Sequence, residues 1–289
     1  KIRGEKYMKR KLKFLGMIVT MFIMCVVFSK NNAYAYLTKG DKIGNTNLIT
    51  LPWHPGTPNL YWHFYFSDTG QTVFCIQPHV VFNGGHQYSA TGKYAGDVGR
   101  QLSYAYENVP AGLSWEEGMQ VRQATIWALS GWYDIYSLDR NNHYANLAIQ
   151  LYEAAKANAN GADINNQMST YTLNFNKEGS NWVSNWVYIK SGASVSCSMG
   201  SLQRDGDNWR VVVPDSAISN VTNVELYSWM STRRYNEADT FDGPNNAGPD
   251  GQKVIITGGS YEDARGDTAR GTINPLGNLT IAKTDNYGT

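Results

Sequence analysis

The chain has 289 residues, of which 42% are hydrophobic, 17% are charged and 13% are aromatic. Its formal net charge is +1, but residues 1–35 hold eight of the 25 Lys and Arg residues and one of the 24 acidic residues, so the remainder carries −6. This balance argues against a nucleic-acid partner, which needs a basic face. The length after residue 35 fits one or two domains, each with a core of its own.

Residues 1–35 have the pattern of a secretory signal peptide. A basic stretch over residues 9–13 precedes an apolar run over residues 14–28, and Ala33-Tyr34-Ala35 matches the small-residue pattern of a cleavage site. The apolar run is shorter than a membrane span requires. We therefore expect a secreted, cell-surface protein whose mature part starts after Ala35 and holds no membrane segment.

The first predicted elements after this segment form a β-hairpin. An aromatic run over residues 60–66, a turn over 67–70 and a second strand over 71–77 place Cys75 near the end of the hairpin, just before Pro78. Residues 79–93 are rich in Gly and Asn and are predicted to form a loop.

A first helix is predicted over residues 99–107, and a second has the clearest start signal in the chain. Ser114 and Glu117 have the spacing of a capping box, and the helix is expected to run to about residue 136. Gln123 lies on a mostly apolar face of this helix, so we expect it to be buried or half-buried. It is either a core Gln with backbone hydrogen-bond partners or a Gln whose partner is a thiol.

A third helix is predicted over residues 143–159, and the remainder has the pattern of short strands. Residues 239–251, rich in Gly, Asn, Asp and Pro, are predicted to form a surface loop. The predicted fold class is α+β, with a β-sandwich or barrel-like part formed by strands around 60–77 and 169–257. A helical subdomain between about 97 and 159 is inserted into it.

Cys75 and Cys197 are the cysteines that remain after residue 35. In a secreted protein, two cysteines are compatible with one disulfide, and composition alone favours neither this pairing nor a functional Cys75. Cys197 lies in a strand-like stretch, where it can simply be a buried thiol.

Two short motifs favour a functional Cys75. Residues 74–78, Phe-Cys-Ile-Gln-Pro, resemble the cysteine motif of the thioester domains found at the tips of Gram-positive surface adhesins. Residues 122–127, Arg-Gln-Ala-Thr-Ile-Trp, resemble the glutamine motif of the same family, Thr-Gln-x-Ala-aliphatic-Trp. They depart from it at Arg122, where Thr is usual, and at Ala124-Thr125. By its position on the helix, one residue from Gln123, Arg122 is expected to face solvent.

The resemblance implies an internal thioester, formed when the Cys75 thiol and the Gln123 carboxamide condense with loss of ammonia. A lysine amine of a host surface or extracellular-matrix protein would then attack the acyl carbon, which would leave an amide on Gln123 and free Cys75. The domain would be consumed in one reaction, as a covalent tether and not as a turnover enzyme. The family's motifs place five supporting residues around the bond: Phe74, Ile76, Gln77, Pro78 and Trp127.

Gln77 is a rival acyl donor, because it shares the side of the strand on which Cys75 lies. We rank it below Gln123, since closing a ring through the strand backbone would strain it.

The end of the chain carries a second resemblance. Residues 277–285 resemble the first strand of a Cna-B-like β-sandwich stalk domain, with Lys283 at the position of the lysine that often forms an isopeptide bond. The expected organisation is a signal peptide over 1–35, a thioester adhesion domain over 36–274 and the truncated start of a stalk domain over 275–289. Such a chain would be a monomeric module of a longer adhesin or pilus on the cell wall.

Two other classes of function remain open. One is a secreted cysteine hydrolase or acyltransferase with Cys75 as nucleophile and His143 or His79 as base. His143, the last histidine, lies only 68 residues after Cys75, which disfavours a papain-like order. The other is a non-covalent glycan- or protein-binding module, in keeping with nine Trp and 19 Tyr residues. The sequence has no His pair at i, i+4, no Cys-x-x-Cys and no Gly-rich phosphate loop, so neither a metal nor a cofactor is expected.

Overall fold

A computed structural model describes residues 34–42, 48–51, 62–78, 85–243 and 252–276. The chain divides into two compact units. Unit 1 comprises residues up to 159 and 235–259, and unit 2 comprises residues 160–234 and those from 260 onward. Most of the predicted signal peptide and the strand that resembles a stalk domain lie outside the described residues. Among the described residues, no helix is both long and apolar enough to cross a membrane.

The predicted α+β class is confirmed. The helices are α1 (Gly96–Glu107), α2 (Trp115–Leu129) and α3 (His143–Asn158). The strands are β1 (Tyr34–Lys42), β2 (Trp62–Phe66), β3 (Thr72–Cys75), β4 (His86–Lys93), β5 (Phe175–Glu178), β6 (Asn181–Ser184), β7 (Val187–Tyr188), β8 (Ser194–Cys197), β9 (Ser201–Asp205), β10 (Asn208–Pro214), β11 (Thr222–Tyr235), β12 (Asp239–Asp242), β13 (Val254–Ile256) and β14 (Ser260–Ile273).

Unit 1 contains a closed antiparallel barrel with the strand order β1-β2-β3-β13-β12-β4. β2 and β3 form the predicted hairpin, in which Phe64 lies opposite Val73. On the other side of β3, Cys75 lies opposite Val254 of β13. β3 therefore has a hydrogen-bonded neighbour along both edges, and its last three residues are all buried.

Alternate side chains of β3 belong to two different cores. Val73 packs inside the barrel with Phe66 and Tyr88. Phe74 faces the opposite way and packs with the helices, among residues such as Leu102 of α1. Because strand side chains alternate between faces, β3 is the wall that the barrel shares with the helical layer.

α2 starts as the sequence predicts and ends seven residues earlier than expected. The Ser114 side chain accepts a hydrogen bond from the Glu117 N–H, and the Glu117 carboxylate accepts one from the Ser114 N–H, which is a complete capping box. At the other end, Gly131 has a φ of 84°. The Gly131 N–H donates to Ala128 O and the Trp132 N–H donates to Trp127 O, both at 3.0 Å. This is a Schellman motif, which ends a helix at a glycine.

Two predicted loops contain strands. Residues 86–93 form β4, which pairs with β1 and β12, and residues 239–242 form β12. Neither segment has a strongly apolar pattern, so the strand state is set by the neighbours that close the barrel. The remaining parts of these loops, 79–84 and 244–251, lie outside the described residues.

Unit 2 consists of two sheets. The larger has the order β5-β6-β10-β7, with β9 paired to β10, and the smaller has the order β14-β11-β8. Its core contains Val187, Ile189, Val211, Leu226 and Ile273. The β character predicted after residue 169 is confirmed, with strands from β5 (Phe175–Glu178) to β11 (Thr222–Tyr235) and β14 (Ser260–Ile273) in this unit.

The capping box gives a test of how α2 is held. We expect Ser114→Ala to lower the free energy of unfolding by about 1 kcal/mol, because the Glu117 N–H loses its acceptor. Ser114→Asp keeps a side-chain oxygen at the cap and serves as the control, with stability close to that of the wild type. Urea denaturation measures both variants, and equal losses in the two would contradict a capping role.

Candidate functional site

Cys75 and Gln123 come from the two elements that meet at the wall between barrel and helices. Cys75 is the last residue of β3, and its side chain is buried, at 4% exposure. Gln123 lies near the middle of α2 and is half-buried, as its position on the apolar face predicts.

Two hydrogen bonds hold the Gln123 carboxamide against the Cys75 backbone. The Cys75 N–H donates to Gln123 Oε1 at 3.2 Å, and Gln123 Nε2 donates to Cys75 O at 2.8 Å. A backbone N–H needs an acceptor and a carbonyl needs a donor, so this pair of partners fixes which end of the carboxamide is oxygen. The carbonyl carbon of Gln123 is thereby placed beside the residue that carries the thiol, across 48 positions of sequence.

The surroundings of the sulfur keep the resting thiol protonated. Burial raises the pKa of Cys75 from 9.0 to about 12, against the opposing effect of hydrogen bonds from the Gln77 N–H and the Trp127 side chain. The Gln77 nitrogen lies 3.2 Å from Sγ. The site therefore stabilises charge on sulfur by N–H donors but excludes the water that would make a free thiolate common.

The residues after Cys75 are tied down on both sides. The Ile76 N–H donates to Lys253 O at 3.0 Å, which continues the pairing with β13. The indole N–H of Trp132 donates to Ile76 O. Trp132 was missed by the sequence analysis. The signal that could have found it is Gly131, which ends α2 and turns the next residue back toward the hairpin.

The Gln77 side chain is turned toward the segment that precedes β13. Gln77 Oε1 accepts from the Lys253 N–H at 2.7 Å, and Gln77 O accepts from Gln252 Nε2 at 2.6 Å. The carboxamide oxygen of Gln77 is thus bound to the backbone of Lys253, whereas that of Gln123 is bound to the backbone of Cys75. Pro78 follows as a half-buried residue. Gln252, 5% exposed, was also missed, because it sits in a segment with the composition of a loop.

Arg122 does not face solvent, and that prediction was wrong. Its guanidinium lies over the Phe74 ring at 5.1 Å from the centroid, and Nη1 donates to Tyr106 O at 2.9 Å. The Arg122 side chain is long enough to reach back along α2, where Nε donates to Gly118 O at 3.3 Å. The helix position of Arg122 fixes only where its side chain starts, and the length of that side chain lets the guanidinium reach these partners. Burial lowers the pKa of Arg122.

The Phe74 ring connects Arg122 to β3. This ring is 1% exposed and meets the Tyr106 ring edge-on, with centroids 5.4 Å apart. The Tyr106 hydroxyl donates to Thr72 O at 2.5 Å. α1, α2 and β3 are therefore joined one residue before Cys75.

The alternatives for Cys75 find little support in this geometry. Cys75 and Cys197 are both free thiols, Cys197 being half-buried in β8 of unit 2. His143 is exposed at the first position of α3, with its ring against Tyr144. Neither His86 nor His143 is hydrogen-bonded to Cys75, and His79 lies outside the described residues. Nor do the described residues contain a cluster of His, Cys, Asp and Glu that could hold a metal ion.

Comparison with known proteins gives distant similarity in structure alone. No protein-family model matches the sequence, and no curated protein does. The chain is similar to the Bacillus anthracis TIE protein, with a TM-score of 0.44 and 11% identity over 83% of this chain and 49% of that chain. This chain thus spans about half the length of that protein.

Two further solved structures are similar to the chain. The thioester domain of the Staphylococcus aureus TIE protein has a TM-score of 0.42 and 15% identity, over 84% of this chain and 98% of that chain. For the thioester domain of the Enterococcus faecium TIE86 protein, the values are 0.38 and 14%, over 84% and 96%.

The contacts of Arg122 predict a structural cost. We expect Arg122→Thr to lower the free energy of unfolding by about 1–3 kcal/mol, because it removes a half-buried charged donor from Tyr106 O and the cation from the Phe74 ring. Arg140→Thr is a matched control, since Arg140 is exposed and lies 5.6 Å from the Tyr136 ring. A urea titration in which both substitutions cost the same would contradict the burial of Arg122.

The raised pKa of Cys75 predicts a loss of stability at alkaline pH in protein that keeps the free thiol, such as Gln123→Ala. The unfolded thiol loses its proton near pH 9.0 and the folded thiol only near 12. Between these values the unfolded state binds fewer protons, so stability falls by about 1.4 kcal/mol per pH unit. The double variant Cys75→Ala/Gln123→Ala is the reference, and its tyrosines titrate equally. If the free energy of unfolding depends on pH in the same way in the two proteins, the raised pKa of Cys75 is refuted.

Proposed function

We propose that this chain is a covalent-binding adhesin domain in which Cys75 and Gln123 form an internal thioester. The observation that supports this most is the pair of hydrogen bonds that seats the Gln123 carboxamide on the Cys75 backbone. An amide carbon held beside a thiol in a buried site is the arrangement that intramolecular acyl transfer requires. The motifs around the two residues support the same chemistry.

Bond formation uses groups that are already in place. Sγ of Cys75 attacks Cδ of Gln123, and the negative charge that develops on Oε1 is met by the Cys75 N–H that already donates to this oxygen. The C–N bond of the carboxamide then breaks. The thiol proton passes to the departing nitrogen, so that ammonia leaves and one thioester remains.

Burial serves the finished bond as well. A thioester is hydrolysed by water, and the Cys75 side chain is only 4% exposed, with both of its chain neighbours, Phe74 and Ile76, buried as well. These apolar side chains keep bulk water away from the acyl carbon. The same exclusion of water raises the energy of a free thiolate. One cause therefore both protects the thioester from hydrolysis and keeps the unreacted thiol protonated.

Capture by an amine completes the proposed function. A neutral lysine amine of a host protein attacks the acyl carbon, an amide forms on Gln123, and the amine's proton goes to the Cys75 sulfur. Burial raises the pKa of the Cys75 thiol, so the released sulfur is held in its protonated form. The domain therefore acts once and stays attached, as a secreted, cell-surface module of a longer adhesin or pilus.

A cysteine hydrolase is the weaker proposal. A catalytic thiol needs a lowered pKa and a neighbouring base, whereas burial raises the pKa of Cys75. Its hydrogen-bond partners in the described part of the chain are Gln77, Gln123 and Trp127.

Intact-mass measurement tests the thioester directly. We expect the wild-type protein to be lighter than its sequence by one ammonia, and Cys75→Ala and Gln123→Ala to show no such loss. Cys197→Ala is the control and should keep the loss. The proposal is refuted by a wild-type mass that matches the sequence, or by a loss of ammonia that persists in Gln123→Ala.

Reaction with methylamine separates a tether from a hydrolase. We expect the mass to rise by one methylamine, with the adduct on Gln123 and Cys75 recovered as a free thiol that thiol reagents label after unfolding. A hydrolase would instead turn over small ester or thioester substrates repeatedly and would carry the acyl group on Cys75. Repeated turnover that depends on Cys75 would therefore favour the alternative.

A further inference from the structure

Gln77 occupies a position whose role the thioester chemistry does not explain. Its backbone N–H is the donor that lies 3.2 Å from the Cys75 sulfur. Two hydrogen bonds fix the orientation of Gln77. Its carboxamide oxygen accepts from the Lys253 N–H, and its carbonyl oxygen accepts from Gln252 Nε2. We call the three residues Gln77, Gln252 and Lys253 the hook.

The hook contains the residue whose N–H donates to the Cys75 sulfur. After Cys75, β3 has ended, so strand pairing no longer determines where the Gln77 N–H points. The side chain of Gln252 is 5% exposed, and a buried carboxamide is costly unless it is hydrogen-bonded. Its bond to the Gln77 carbonyl oxygen and the bond from the Lys253 N–H to Gln77 Oε1 together hold the backbone and the side chain of Gln77.

The donor acts when the sulfur gains negative charge. In the attack of an amine on the thioester, the C–S bond breaks and its electron pair goes to sulfur. A thiol with a pKa of about 12 is a poor leaving group in its anionic form, so a donor to the sulfur lowers the barrier of this step. The Gln77 N–H is such a donor, and the burial of Cys75 makes its position matter more.

We infer that the side chains of Gln77 and Gln252 are positioning residues that aim the Gln77 N–H at the Cys75 sulfur and so set the rate at which the thioester is opened by amines. This inference rests on the proposed thioester. It gives Gln77 a role different from that of a rival acyl donor.

Two substitutions at Gln77 separate positioning from simple packing. Gln77→Met keeps the length of the side chain and removes the acceptor for the Lys253 N–H, whereas Gln77→Glu keeps an acceptor oxygen. Intact mass gives the thioester fraction of each protein, and the rate of reaction with methylamine at pH 8 is measured on that fraction. We expect Gln77→Met to react about tenfold more slowly and Gln77→Glu to react at the wild-type rate.

The outcomes distinguish this inference from the proposed function. If the wild type and both variants lose ammonia but react at equal rates, the hook has no positioning role and the thioester stands. A Gln77→Glu protein as slow as Gln77→Met would also overturn the inference. Loss of the ammonia deficit in both Gln77→Met and Gln77→Glu, with the deficit retained in Gln123→Ala, would make Gln77 the acyl donor.

A second measurement tests the hook even in protein without a thioester. In the Gln123→Ala background, Cys75 is a thiol, and its alkylation by iodoacetamide at pH 9 follows the thiolate fraction. We expect the addition of Gln77→Met to slow this alkylation several-fold, because the thiolate loses an aligned donor. A merely loosened site would expose the sulfur and speed alkylation, so a faster reaction would contradict the inference.

Discussion

The candidate site depends on the burial of β3 between two cores. Val73 fills the barrel and Phe74 fills the helical layer, so the strand cannot shift or rotate without opening one of them. Because its neighbours β2 and β13 hold both edges, the last residue of β3 is fixed against the face of α2. The pairing of Cys75 with Gln123 follows from this constraint more than from any property of the two residues alone.

The same burial sets the character of the chemistry. A dry site makes a free thiolate costly, and it makes every N–H donor that faces the reacting atoms more effective. The structure supplies such donors from the backbone of Cys75 and Gln77 and from the side chain of Trp127. Such a site fits the proposed single reaction of Cys75 with Gln123, whose carboxamide is already hydrogen-bonded to it.

Local signals in the sequence were sufficient for the hairpin, the capping box of α2 and the inward face of Gln123. Each depends on residues only a few positions apart. The strands β4 and β12 were missed because their strand state depends on partners elsewhere in the barrel, as Ala90 opposite Phe241 shows. Arg122 was misplaced for a different reason, since a long side chain can reach a partner far from the helix position that bears it.

Within the site, motif residues were predictable and their supports were not. Cys75 and Gln123 stand in recognisable short motifs. Gln252 and Lys253 lie about 175 residues after Gln77, and no pattern in either segment indicates that they meet. Sequence patterns therefore indicate the two residues that we propose react, while the groups that orient them emerge only from the closed barrel.

The order of the chain has a consequence for when the site becomes complete. α2, with Gln123, follows β3 closely, but β13 and the segment before it come after the whole of residues 160–234, which belong to unit 2. A chain that emerges from its N-terminus thus presents the thiol and the amide long before Lys253 can pair with Ile76. The buried site is complete only after this late segment has emerged and docked, so the proposed thioester would be sheltered only once the barrel has closed.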